Sequence, residues 1–194
     1  MTAAGPTVLD RRTLGRATLD RQLLLHRSQL PVLDAVERVA GVADMQAWSG
    51  LSGLREIAEG SGASLATFRD QDGRTLYDLP GASLPDPGIP APVRFLPDYD
   101  NALLAHADRS RIATGPYLEY RASSRNGVVP GTVLVDGLTA AAWTTQREKG
   151  RAAIIIEPFT RLSRGDAGAV SEEASQLLAF TDPGASYDIQ LARR

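Results

Sequence analysis

Between Phe95 and Ile112 the chain reads FLPDYDNALLAHADRSRI, a dense polar block beside apolar stretches. Asp98, Asp100, Asn101, His106, Asp108 and Arg109 stand close together in it. His106 or Asp108 is a candidate base for positioning an attacking water, because imidazole and carboxylate are the side chains that accept a proton near neutral pH. Asp98, Asp100 and Asp108 are of a type that binds hard cations, but no loop motif supports a metal site and none is expected. The same block also reads as a hydrogen-bond network that fixes a loop to a sheet. Trp48 and Trp143 are core candidates, and either is large enough to stack on an extruded base. The chain has no cysteine, which removes disulfides, thiolate zinc sites and thiol catalysis. Its two histidines, His26 and His106, are too few for a multi-histidine metal site. His26 reads as a favourable charge at a helix C-terminus. Phosphate-cradling glycine motifs and nucleophile elbows are missing, and no cofactor is expected.

A second set of residues points to phosphate. Arg11, Arg12, Arg16, Arg21 and Arg27 face only Asp10 and Asp20 in the first thirty residues, so that end is locally basic. Arg11, Arg12, Arg16 and Arg21 are candidate DNA contacts; the other reading of that segment is a solvated helix face. The net charge of −2 and pI of about 5.7 argue against tight non-specific DNA binding by the whole molecule. Twenty of the 21 basic residues are arginine and only Lys149 is lysine, a bias of high-GC bacterial coding. No apolar run approaches the ~20 residues needed to span a bilayer. No secretory h-region is visible, so the expected location is cytoplasmic, with no membrane partner.

The elements that must position these residues divide the chain. Apolar spacing predicts helices over 13–27, 31–40, 43–49 and 52–60, with Pro31 in a first turn and Ser52 as a cap. Leu65–Arg69 and Arg74–Leu79 are strand-like around Asp72-Gly73, a two-residue turn signal that sets Phe68 opposite Tyr77 and Ala66 opposite Leu79. Helix–turn–helix followed by hairpin is winged-helix order. In it Ser52 and Arg55 fall on the recognition helix, and Arg69 and Arg74 flank the wing tip. Arg55 stands among Glu56 and Glu59, so base-edge reading should be weak. Residues 80–92, PGASLPDPGIPAP, hold five prolines and form a stiff linker. The expected domains are therefore 1–80, a linker at 81–92, and 93–194. The last contains a strand at Val93–Leu96, a short helix at 99–107, and a meander of Tyr117–Arg121, Gly131–Val135, Leu138–Gln146 and Ala152–Glu157. Its turns are Asn126-Gly127, Asp136-Gly137 and Glu148–Gly150. Ile154, Ile155 and Ile156 suggest a strand buried on both faces. A helix capped by Asp166 runs to about Phe180, and Tyr187, Ile189 and Leu191 alternate in a final strand. The fold class is α+β: N-terminal helices and a winged helix-turn-helix, then a C-terminal β-meander domain with a packing helix.

TLDRQLLLHRSQLPVLDAVERVAG at 18–41, VADMQAWSGLSGLREI at 42–57 with its hairpin, and FLPDYDNALLAHADRSRI followed by GTVLVDG and IIIEPF resemble the AlkZ-like winged-helix DNA glycosylases. The resemblance implies tandem winged helices around a DNA groove, a β-rich C-terminal part, duplex DNA as partner, and excision of alkylated bases or unhooking of crosslinks. Read as a polar cluster facing DNA or a base pocket, the block itself makes Arg109 and Arg111 further candidate DNA contacts. The resemblance also implies a Gln-x-Gln or Gln-x-Asp motif just after the helix at 31–40, which positions a water against the sugar of a departing base. Here Gly41 is followed by Val42-Ala43-Asp44-Met45-Gln46, and the motif has no match. Asp44-x-Gln46 is not that motif reversed, because VADMQAWSGL resembles the start of the last winged helix of the family, joined here directly to the N-terminal segment. The readings are a DNA-binding relative without competent catalysis, an active glycosylase using His106 or Asp108, or a winged helix used as a protein-interaction or regulatory module.

Overall fold

The computed structural model describes residues 7–8, 39–81, 91–104, 107–123 and 128–192. The helices expected at 13–27 and over most of 31–40 lie outside them, as do the proline-rich stretch 82–90 and the Asn126-Gly127 turn. The described chain is α+β and forms two compact units: residues 1–90 with 102–112, and residues 91–101 with 113–194. The polar block is thus divided between the units, its second half belonging with the first.

In the first unit a short strand β1 (Thr7–Val8) runs parallel to β2 (Ala66–Arg69), and β2 pairs antiparallel with β3 (Thr75–Asp78). Ala40 bridges Tyr77 at the free edge of β3. Val39 has φ 66°, outside the right-handed helical region, so a helix at 31–40 cannot include its last two residues. Helix α1 (Val42–Ser49) follows at once and ends at Gly50, whose φ of 69° makes the left-handed C-cap. Helix α2 (Leu54–Gly60) starts after Gly53 at φ 76°, not at Ser52, which is an exposed bend residue. Two left-handed glycines therefore set the angle between α1 and α2.

The hairpin differs from its expected register by one residue. Phe68 stands opposite Leu76 and Thr67 opposite Tyr77. The cause is the turn. Asp70 N–H donates to the Arg74 carbonyl and Gly73 N–H to the Asp70 carbonyl, with Gly73 at φ 78°. This leaves a three-residue loop, Gln71–Gly73, in place of a two-residue one. The Asp70 side chain holds it by accepting the Asp72 and Arg74 amides. The shift places Leu76 with Phe68 and Val39 on one face, and Tyr77 with Val42 and Ala58 on the other. Strand β3 is therefore buried on both faces.

In the second unit the strand order is β4 (Arg94–Leu96), β5 (Gly131–Val135), β6 (Leu138–Glu148), β7 (Arg151–Pro158), β8 (Ser186–Leu191). Asp136 and Gly137 have φ 48° and 79°, the type I′ signature, and tie β5 to β6 with Val135 opposite Leu138. The first four strands are antiparallel, but β8 joins β7 in parallel, across helix α5 (Arg164–Thr181). Ser163, not Asp166, caps α5: its hydroxyl accepts the Asp166 amide. Val170, Ala174 and Leu178 of α5 pack on Val133, Ala141, Ala152, Ile154 and Ile156. Ile155 is only half-buried, so β7 has one dry face and not two.

The stretch Tyr117–Arg121 is not a strand. It lies in helix α4 (Gly115–Ser123), preceded by the short helix α3 (Asn101–Leu104). Pro116 suits a first helical turn, and Thr114 ties the start to β6 through hydrogen bonds with Thr139. Tyr117 and Tyr120, three apart, then share the face against Phe159, with ring centroids 5.6 and 5.1 Å away.

Candidate functional site

The first unit holds a cleft of about 750 Å³ between the start of α1, the hairpin turn and residues 107–111. One wall is built on Asp44. Its carboxylate accepts the Gly41 and Ala107 amides, each at 2.9 Å, so it caps α1 and holds a segment distant in sequence. Arg111 completes the arrangement. Its Nη2 donates to Asp44 at 3.2 Å and its Nη1 to the Val39 carbonyl. Arg111 and Asp44 are only 6% and 7% exposed, so this is a buried ion pair. Arg111, expected as a DNA contact, lies almost buried in the wall of the cleft, with its guanidinium given to Asp44 and Val39.

The mouth of the cleft is built differently. Asp108 caps a single 3-10 turn, Arg109–Arg111, by accepting the Ser110 amide. It also forms an ion pair and hydrogen bond with Arg74 of the hairpin turn, and Asp72 lies 3.4 Å from the same guanidinium. Arg69 donates to the Gly73 carbonyl at the hairpin tip. Arg55 lies along the cleft on α2 and pairs with Glu59 at 3.6 Å. Arg109 is exposed. The structure therefore gathers Arg55, Arg74, Asp108 and Arg111 around one cleft, but Arg69, Arg109 and Ser52 do not line it. Arg11, Arg12, Arg16, Arg21 and His106 lie outside the described residues.

Burial pushes the Asp108 carboxyl up, but the Ser110 hydroxyl and amide and the Arg74 guanidinium outweigh it, and the net shift is down. The same pair holds Arg74 above its ordinary value. A carboxylate with lowered pKa is a weak proton acceptor, which counts against Asp108 as a general base. The shift also fixes a pH dependence. The folded pKa lies below the unfolded value of about 3.9, so the stabilisation is complete above that value and is lost as pH falls through the folded pKa. In an acid titration followed by NMR, Asp108 is expected to titrate below the ordinary aspartate value of about 3.9, with amide exchange at residues 70–74 rising in the same interval. An Asp108 midpoint at or above 3.9 would contradict the pairing.

Among the described residues no group of three His, Asp or Glu side chains could hold a metal ion, and no helix is long and apolar enough to cross a membrane. In the second unit Asp98 accepts the Gly131 amide and Tyr99, at φ 59°, donates to the Val129 carbonyl. The front half of the polar block thus fastens the exit of β4 to the entry of β5. Trp143 is half-buried, with its Nε1 donating to the Leu96 carbonyl at 2.8 Å. For Asp44 the sequence reading weighs only the Asp44-x-Gln46 motif and misses its role as a cap and ion-pair partner. The available signal was a carboxylate three residues after Gly41, in position to cap a helix.

The model of the family described as DNA glycosylase AlkZ-like matches residues 32–180. The chain belongs to the AlkZ-like family. Among solved structures it is similar to Streptomyces sahachiroi DNA glycosylase AlkZ, at 19% identity and a TM-score of 0.59. The match covers 82% of this chain and 43% of that one, so this chain spans less than half the length of that enzyme. At this identity the likeness shows the fold alone. No curated protein matches the chain.

Proposed function

We propose that this chain is a DNA-binding member of the AlkZ-like family in which α1, α2 and the β2–β3 hairpin act as a winged helix, and that by itself it does not excise bases. The observation that carries the second half is the missing motif: after Gly41, where the family signature is expected, the chain reads Val42-Ala43-Asp44-Met45-Gln46. Where a water-positioning Gln-x-Gln or Gln-x-Asp is called for, the chain enters α1, and the Asp44 carboxylate is occupied by Gly41, Ala107 and Arg111. Asp44 is thus spent on holding the fold and does not stand in for the motif, and misplacement of an attacking water by about 1 Å can cost on the order of a hundredfold in rate. The family match supports DNA as the partner, with exposed Arg55, Arg69 and Arg109 and the hairpin cation Arg74 as contacts. Acidic neighbours Glu56, Glu59, Asp70 and Asp72 argue for weak, salt-sensitive binding with little sequence preference. The same acidic surroundings, with Ile57 65% exposed on α2, favour the second reading, a protein-interaction module.

The test uses purified chain with duplex DNA, plain or carrying N7-alkylguanine. The expected result is weak binding to both, a salt slope that falls by about one for each phosphate contact removed in Arg69→Ala and Arg74→Ala, and no abasic sites above the spontaneous rate. Base release abolished by His106→Ala or Asp108→Ala would establish an active enzyme. Absence of any binding at low salt would favour the interaction module.

A further inference from the structure

We infer that Asp108 is a built-in competitor for phosphate, holding Arg74 in a closed pair across the mouth of the cleft until a nucleic-acid phosphate displaces it. This rests on the DNA-binding reading above. Arg74 sits on the hairpin turn, where a cation would meet a backbone, yet its guanidinium is given to Asp108, with Asp72 beside it. The pair is not buried: the Arg74 and Asp108 side chains keep 56% and 36% of their surface, so either can be exchanged without opening the core. The buried Asp44–Arg111 pair anchors residues 107 and 111 on either side of Asp108, which fixes the carboxylate in front of the hairpin. A carboxylate presents oxygen acceptors to guanidinium much as a phosphate does, and an arginine can serve only one such partner in full. Exposed pairs of this kind are weak, so a phosphate brought in by further contacts can break them. When it does, Asp108 keeps its place, because Ser110 still holds it by its amide.

The experiment is a double-mutant cycle on duplex DNA binding, read by fluorescence anisotropy at low and moderate salt. The variants are Asp108→Asn, Arg74→Ala and the pair. Asparagine keeps the cap on Ser110 while removing the charge. Asp108→Asn should bind roughly two- to fivefold more tightly than the parent, the range that an exposed ion pair can withhold. The gain should shrink with salt, and most of it should vanish in the Arg74→Ala background. Asp108→Ser, which also keeps the cap, should repeat the gain. A gain of equal size without Arg74 would show a general charge effect and overturn the inference, as would no gain at all while the parent binds. If neither the parent nor Asp108→Asn binds DNA, the DNA-binding reading fails and the inference fails with it. Amide exchange at α1 serves as the folding control, and a drop in its protection alongside tighter binding would count against local release of Arg74.

Discussion

Replacing Arg111 by alanine is expected to destabilise the first unit by about 3–5 kcal/mol, the cost of leaving one member of a buried ion pair alone. Arg111 and Asp44 are both more than nine-tenths buried, so solvent does little to screen the loss. The guanidinium also donates to the Val39 carbonyl, which sits at φ 66° beside the Ala40–Tyr77 bridge. Its removal leaves that carbonyl short of a partner and loosens the entry to α1. Asp44 keeps the Gly41 and Ala107 amides, but two amide dipoles do not replace a full positive charge. The partner change separates charge from volume. Asp44→Asn with Arg111→Met removes both charges, keeps an acceptor for the Gly41 or Ala107 amide and fills part of the space, and it should cost less than Arg111→Ala alone. Because the chain has two units, the measurement is amide exchange across α1 and β3 under denaturant, not one global transition. A loss below about 1 kcal/mol for Arg111→Ala would mean that the pair behaves as a surface bridge.

That pair also marks where sequence reading stops. Asp136-Gly137 was legible as a turn because Gly adopts positive φ freely and Asp tolerates it, and β5 and β6 pair around it as expected. The face of α5 was legible from the spacing of Val170, Ala174 and Leu178. Asp72-Gly73 misled by one residue because the Asp70 side chain completes a longer loop, a contact that dipeptide preference does not contain. Tyr117 and Tyr120 suggested a strand by residue type, and only the position of Phe159 decides that the two rings share a helix face. In the site the arginines of the hairpin and α2 could be named in advance, but their pairing could not. Arg111 and Asp44 are 67 residues apart in sequence, and nothing local to either says that one will be buried against the other. Its place in the polar block therefore makes Arg111 a candidate DNA contact without revealing that its guanidinium is paired in the interior. The front half of the polar block follows the other reading open to it in the sequence, a hydrogen-bond network that fixes a loop to a sheet: Asp98 accepts the Gly131 amide and holds a corner.

Gly131→Ala should expose that corner, with a loss of about 3 kcal/mol in the second unit once overpacking, a buried hydrogen bond and an aromatic pair are counted together. Gly131 faces Trp143 across the β5–β6 ladder. A Cβ there would stand 2.6 Å from Trp143 Nε1 and 2.7 Å from Cε2, closer than side-chain contacts allow. The indole cannot yield freely. Its Nε1 donates to the Leu96 carbonyl, and its ring meets Phe95 edge-on at 5.4 Å. If the indole moves, β4 loses both; if β5 moves instead, the Gly131 amide leaves Asp98. Either route unfastens β4 from β5. With Trp48 changed to Phe, emission reports Trp143 alone, and it should shift to the red as the ring is wetted. Asp98→Ala, which removes the acceptor but no packing, should cost less, about 1 kcal/mol, and leave the emission unchanged. If Gly131→Ala keeps both stability and emission, Trp143 is free to move, and the front of the polar block would need a role other than fastening the sheet.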